Sequence, residues 1–441
     1  MKEKKLGLLG LIILVIGGII GSGIFTLPSQ VTKGAGGFAI IIGFIISGIG
    51  ILGLAFVYYI LSVKKTEFKN GIYLYSKEGF GDLIGFSSAW IYWIAATLGN
   101  VSLATLVFGS MSYFFKIFNS NGSNLASVIC VSILIWSINL LILKGVRGAL
   151  LINIIVNIAK LIPIIIFILI TFIFFNYKNL SFEFLGVSNL GNLYTQVKST
   201  MIANLWAFGG LEIAVVLSGR AKKSKDVGKA TIIGIIGIII IYLLVVILSL
   251  GVMHRDTIAG LSNPSMAYIL ASLVGSWGTK LIIIGLIISV SGALLAWTLI
   301  TIEMIYSTGK EGVMPKFLAK ENKNGTPRNA LIVTGIVTQG WILFSYFCNG
   351  GYTILYSLSA IATVIPYFLN TLYVVKLMIQ RKFHDNETIF IKLRNYLLVA
   401  ISLVYTSWML FSVGLNYMII LSFIIGLGIL LYIVVKIQKK I

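Results

Sequence analysis

Midway along the first long apolar run of the chain, Ile20-Gly21-Ser22-Gly23-Ile24-Phe25 sets two glycines around a serine. Glycine lowers the cost of unwinding a helix. A helix unwound inside lipid must then find partners for its bared N–H and C=O groups in protein, in a wet cavity or in a ligand. The opened backbone is two-signed. Its second half turns N–H groups toward a carboxylate, and its first half ends in carbonyls suited to an ammonium. A small zwitterion satisfies both, so amino-acid transport is the chemistry this segment points to. A second interruption, Trp206-Ala207-Phe208-Gly209-Gly210-Leu211-Glu212, falls in a later apolar run with an acid directly behind its glycine pair. Glycine pairs also let membrane helices approach closely, which is the competing reading of Gly209-Gly210 taken alone.

Two ionisable residues lie near the middle of apolar runs, Lys160 in Asn157-Ile158-Ala159-Lys160-Leu161-Ile162-Pro163 and Glu212. A charge at a helix centre costs at least ~2.5–3.5 kcal/mol on insertion scales, so such residues are functional candidates. Glu212 is placed to stabilise the second break, to relay a proton, or to couple site occupancy to gate closure. An acid that only bonds the unwound backbone is the structural alternative. Glu303 lies nearer the end of its run and reads as an orientation or gate contact. Pro163 and Pro366 are expected to kink their runs. Cys130 and Cys348 read as small buried hydrophobes, and His254 and His384 are separated loop residues, so no disulfide framework, metal site or cofactor is implied.

The elements that hold these residues follow from composition. The chain is 58% hydrophobic and 11% charged, with a mean hydropathy of +1.01. Apolar runs of ~20 residues or more are helix-length, unlike the ~10-residue alternating segments of membrane barrels. Twelve spans are expected, over 7–32, 38–62, 83–116, 125–143, 149–175, 197–218, 230–253, 279–307, 329–347, 354–378, 393–412 and 415–436. The first run is too long for a cleavable signal and leads into Leu27-Pro28. Most of the 34 Lys and Arg fall in loops that the positive-inside rule assigns to the cytoplasm with both termini, including Lys64–Lys69, Arg220–Lys225, Lys310–Arg328 and Arg381–Arg394. The net charge of +21 therefore reports orientation in the bilayer and not a nucleic-acid partner. Breaks in the first and sixth spans, five spans apart, are the pointer to an inverted repeat with substrate held near the midplane. The expected architecture is an all-α integral membrane protein with a LeuT-like five-plus-five inverted repeat and two peripheral helices. Its units would be 1–176, 177–378 and 379–441.

The stretch from Leu14 through Gly17-Gly18 and Gly21-Ser22-Gly23 to Leu27-Pro28 resembles the first-span signature of amino acid/polyamine/organocation transporters. Gly71 to Tyr75, Gly79 to Asp82, Leu98-Gly99-Asn100, and Leu217 to Lys222 followed by Asp226 to Ala230, are similar to the basic amino-acid antiporter branch. That branch contains arginine/ornithine and arginine/agmatine exchangers. The resemblance implies that backbone from Ile20 through Gly21, Ser22 and Gly23 to Ile24 holds the substrate carboxylate and part of its ammonium shell. Trp206, Ala207 and Gly209 would offer carbonyls opposite. Asn100, Trp297, Ser359 and Thr363 would contact substrate, Trp297 as an aromatic platform that favours cationic side chains. Tyr92, Trp206 and Tyr367 would gate, with Glu212 in a gate or coupling role. Lys160 would take the place of a sodium ion, which makes sodium dependence unexpected. The arginine exchanger has an asparagine where this chain has Gly18, which weakens arginine specificity.

The implied function is exchange of cationic amino acids, or of an amino acid for its amine, by alternating access across a bacterial-type inner membrane. Proton-coupled uptake is the alternative, and a transporter-like sensor or docking subunit is the reading from another class. No nucleophile–base pair or phosphate loop points to an enzyme. The partners are the amino acid or amine and the lipid bilayer. Oligomeric state is left open, with a homodimer as one option.

Overall fold

The computed structural model describes residues 7–65, 73–144, 156, 160–181, 188–210, 224–323, 325–348, 351–380, 388–412 and 414–438, and among them there is no strand. The chain opens with α1 (Leu8–Ile19), α2 (Gly23–Thr32) and α3 (Gly37–Lys64). Then come α4 (Tyr73–Phe80), α5 (Asp82–Met111), α6 (Leu125–Leu143), α7 (Leu161–Ile173) and the short α8 (Tyr177–Ser181). The middle of the chain forms α9 (Leu193–Ala207), α10 (Ser224–Val252), α11 (Arg255–Gly260), α12 (Ser265–Val274) and α13 (Ser276–Lys310). The last four helices are α14 (Arg328–Phe347), α15 (Gly351–Ile379), α16 (Ile389–Ser412) and α17 (Leu415–Gln438). Nine described helices are long and apolar enough to cross a bilayer, and the bent pair α1–α2 makes a tenth span. The fifth and sixth expected spans are described in part, as α7 and α9, with the rest of each outside the described residues.

Two boundaries differ from the hydropathy reading. The third span ends at Met111 and not at 116. Apolar character continues beyond it as an aromatic knot, with ring centroids 5.2 Å apart for Tyr113–Phe114 and 5.5 Å for Phe108–Phe118. Composition does not separate such a knot from another helical turn. The sixth span starts earlier, at Leu193, because Asn192 caps it by accepting from Thr195 N at 2.9 Å. Its polar first turn hid that start from hydropathy. Cys348, exposed at the end of α14, departs from the buried-thiol expectation, and Cys130 is partly buried in α6. Pro366 is carried inside a continuous α15.

α5 forms the axis of the bundle and is buried along most of its length, whereas α16 and α17 bury little of their surface and lie at the periphery. Close helix approach is bought with small residues. A Cβ on Gly50 would lie 2.2 Å from the Tyr405 ring, one on Gly43 would lie 2.7 Å from Thr200, and one on Gly285 would lie 2.4 Å from Pro163 Cγ. On α10, Gly234 faces Val15 and Gly237 faces Ile16, so this helix lies directly along α1.

Candidate site where two interrupted helices meet

The first interruption is present. The N–H of Ile20 donates to Ile16 O at 2.9 Å, α1 stops, and α2 restarts at Gly23 with its axis turned by 54°. An interrupted helix leaves carbonyls at the end of its first half and N–H groups at the start of its second. One of those carbonyls is already used: the buried Lys160 ammonium, only 3% exposed, donates to Gly17 O. A cation at a helix C-terminus is also favoured by the helix dipole. Ser22 Oγ is buried and makes no hydrogen bond within the chain. Beside it, a Cβ on Gly21 would meet nothing closer than Ile19 O at 3.9 Å, so Gly21 borders open space.

The second interruption begins after Ala207. Phe208 N–H donates to Asn204 O and Gly209 N–H to Trp206 O, both at 3.0 Å, and Gly210 then adopts φ +95°. That left-handed conformation is one glycine reaches without strain. Ala207 O accepts from the Tyr242 hydroxyl at 2.8 Å. The two interruptions touch. A Cβ on Gly23 would lie 3.2 Å from Ala207 Cα and 3.3 Å from Trp206 Cδ1. Gly99 on α5 closes the third side, where a Cβ would meet Ser359 Oγ at 3.1 Å and Trp206 Cη2 at 3.5 Å. Trp206 also lies against Tyr356, with centroids 5.8 Å apart, and Tyr356 lies against Tyr352 at 5.1 Å. The Tyr352 hydroxyl reaches Thr26 Oγ1 of α2 at 3.4 Å.

The structure therefore gathers Ile20 to Ile24, Trp206, Ala207, Gly209 and Ser359 around one point. Asn100 follows Gly99, is buried, and donates to Thr301 Oγ1 of α13 at 3.4 Å, while its Oδ1 has no partner. Thr301 donates to Trp297 O at 2.6 Å, which sets Asn100 one helical turn from the partly buried Trp297. The Ser359 hydroxyl donates to Ala95 O at 2.6 Å and that of Thr363 to Ser359 O at 2.9 Å, so their protons are engaged and their oxygens remain acceptors. Tyr367 lies edge-on to Tyr58 of α3, at 5.7 Å. It sits roughly 16 Å along α15 from Tyr356 at 1.5 Å per residue. The aromatic neighbour of Trp206 is thus Tyr356, which sequence reasoning passed over along with Tyr352, Thr26, Thr301 and Tyr242. The spacing of Tyr352, Tyr356, Ser359 and Thr363, i, i+4, i+7 and i+11 on one helix face, was the available signal. Tyr92 is buried on α5, Glu303 is exposed and accepts from Ser307 at 3.3 Å, and Glu212 lies outside the described residues.

On the far side of the break, α2 is gripped by the segment between α10 and α13. Ser265 Oγ accepts from Ser29 N at 3.2 Å and donates to Phe25 O at 3.5 Å, bridging an i, i+4 pair of the helix beside Pro28. Ser29 Oγ donates to Asn263 Oδ1 at 3.4 Å and Arg255 Nη1 to Thr32 O at 2.8 Å. Nine of the ten residues of α2 are buried, so the path from the break toward this end is closed. Among the described residues no group of His, Cys, Asp and Glu is placed to hold a metal ion.

The amino acid permease family profile matches residues 6–435. The chain is 39% identical to an arginine/ornithine antiporter of Pseudomonas aeruginosa over 98% of its own length and 90% of that protein. It is 38% identical, with the same coverage, to an arginine/agmatine antiporter of Chlamydia abortus. A second arginine/agmatine antiporter, from Chlamydia trachomatis, is 35% identical over 99% of this chain and 90% of that protein. With two interrupted apolar helices meeting at their interruptions and similarity running nearly end to end, this chain belongs to the amino acid permease family.

Proposed function

We propose that this chain exchanges cationic amino acids, or an amino acid for its amine, by alternating access at the junction of α1, α2 and α9. The contact of Gly23 with Ala207 and Trp206 carries this reading, because it brings two helix interruptions to one place. The N–H groups of Gly23 and Ile24, at the positive end of α2, are suited to the carboxylate, and the carbonyls left at the end of α1 to the ammonium. The aromatic group of Trp206, Tyr356 and Trp297 offers faces to a guanidinium or amine. Ser359, Thr363 and the free Oδ1 of Asn100 supply acceptors for its N–H groups. The names of the relatives support the same substrate class.

In the same reading the chain has twelve spans in a five-plus-five inverted repeat, with units 1–176 and 177–378, and 379–441 peripheral. Both termini face the cytoplasm of a bacterial-type inner membrane. The closed end of α2 then faces outward, so the described conformation keeps the site from the external side. Proteoliposomes loaded with arginine, ornithine, lysine or agmatine are expected to take up labelled arginine only when a counter-substrate is inside. Equal uptake into empty, pH-clamped vesicles contradicts exchange.

Proton-coupled uptake is a second reading, favoured by the buried Lys160 at the end of α1. It requires accumulation driven by a pH gradient alone, and loss of that accumulation in Lys160→Ala or Glu212→Gln.

A further inference from the structure

The two interruptions are capped by different chemistry. At the first, an ammonium takes Gly17 O; at the second, the fully buried Tyr242 of α10 gives its hydroxyl to Ala207 O at 2.8 Å. In an unbroken helix Ala207 O would accept from the N–H four residues on. A carbonyl bared in an apolar interior without a donor costs about 1–3 kcal/mol, and rewinding the helix onto that N–H is the simplest repair. The Tyr242 hydroxyl supplies the missing donor and removes the incentive to rewind. Its ring is fixed by Phe208, 5.2 Å away, which in turn lies edge-on to Phe44 at 6.4 Å. The same helix lies along α1 through Gly234 and Gly237. One rigid element thus touches both interrupted helices.

We propose that Tyr242 is a positioning residue of the transport cycle: its hydroxyl holds the turn after Ala207 unwound in the empty protein, so that the backbone cradle exists before substrate arrives. This rests on the reading of that junction as the substrate site. When the competent, unwound state is only partly populated, apparent affinity falls by that fraction. Substrate itself restores the unwound state at saturation, so the maximal rate is largely kept.

Tyr242→Phe removes one oxygen and keeps the ring. In counterflow with labelled arginine, its KM is expected to rise roughly tenfold with the maximal rate within about twofold of wild type. A role confined to folding lowers the amount of active protein and the maximal rate while leaving KM in place, and that result overturns the proposal. A substrate-free arm follows amide hydrogen exchange in the peptide containing Phe208–Gly210. Exchange is expected to slow about tenfold in Tyr242→Phe as the turn rewinds, and an unchanged rate overturns the proposal whatever the transport result. This arm also separates the two claims, since absent counterflow in wild type counts against the exchanger reading alone. Should Tyr242→Phe not fold, Gly210→Ala disfavours the left-handed residue from the backbone side. It is expected to raise KM and slow amide exchange in the same way, and unchanged values overturn the proposal.

Discussion

Gly23 faces Ala207 with no room for a side chain, since a Cβ there would lie 3.2 Å from Ala207 Cα and 3.3 Å from Trp206 Cδ1. Backbone therefore meets backbone at the point where both helices are open. Gly23→Val places a branched side chain in that contact and over the N–H groups of the first turn of α2. Counterflow is expected to fall below about one-tenth of wild type while the protein stays monodisperse in detergent. Gly23→Ala needs a shift of only a few tenths of an ångström and is expected to retain intermediate activity. Equal activity in Gly23→Val and wild type would move the substrate site elsewhere.

The Gly21-Ser22-Gly23 break was legible because it is local: small residues inside an apolar run have few other physical uses. The same holds for Gly209-Gly210, whose left-handed second residue the structure describes at φ +95°. Ser359 and Asn100 were reached by resemblance to a family, not by spacing. What escaped was long-range. Tyr242 caps Ala207 from a helix 35 residues away, and Ser265 meets Ser29 across 236. A tyrosine or serine inside an apolar run does not announce its partner. Tyr356 was hidden differently, since α15 offers several aromatics and only the fold decides which one meets Trp206. The extra turn assigned to the third span had the same origin, as hydropathy responds to apolar content and not to where a backbone turns.

Lys160 replaces a hydrogen bond that α1 loses when it breaks. Lys160→Met keeps most of the bulk, removes the donor and leaves Gly17 O bare, a loss of about 1–3 kcal/mol for an unpaired buried group. The detergent melting temperature is expected to drop by several degrees and counterflow to fall at least fivefold. Sodium is expected to be irrelevant because a fixed ammonium already caps the carbonyl. Replacing sodium by choline should leave the wild-type rate unchanged, and a sodium-stimulated rate would contradict the assignment.

Trp297 lies one turn from Thr301, which accepts from Asn100. If its ring is the platform for a cationic side chain, Trp297→Leu forfeits ~0.5–2 kcal/mol. That is a roughly two- to thirtyfold rise in the KM for arginine and for agmatine alike. Trp297→Phe is expected to recover part of the loss. Wild-type KM in the leucine variant would leave this tryptophan a packing residue, as Trp408 is taken to be.

Arg255 provides the last test, because it acts on the closed end of α2 and not on the cradle. Its guanidinium donates to Thr32 O at 2.8 Å, on the final turn of a half-helix already held by Ser265 and Asn263. A hydrogen bond from a charged group contributes about 1.5–3 kcal/mol, so its loss is worth roughly a tenfold change in a conformational equilibrium. With Cys130→Ser and Cys348→Ser as background, a cysteine at the half-buried Gln30 reports access from the outside. Adding Arg255→Ala is expected to speed labelling of Gln30→Cys by a membrane-impermeant maleimide about tenfold in intact cells. KM should change little, because the cradle residues are untouched. Labelling that stays slow would mean that Ser265 and Asn263 hold α2 without the arginine. Labelling only from the cytoplasmic side would reverse the proposed orientation.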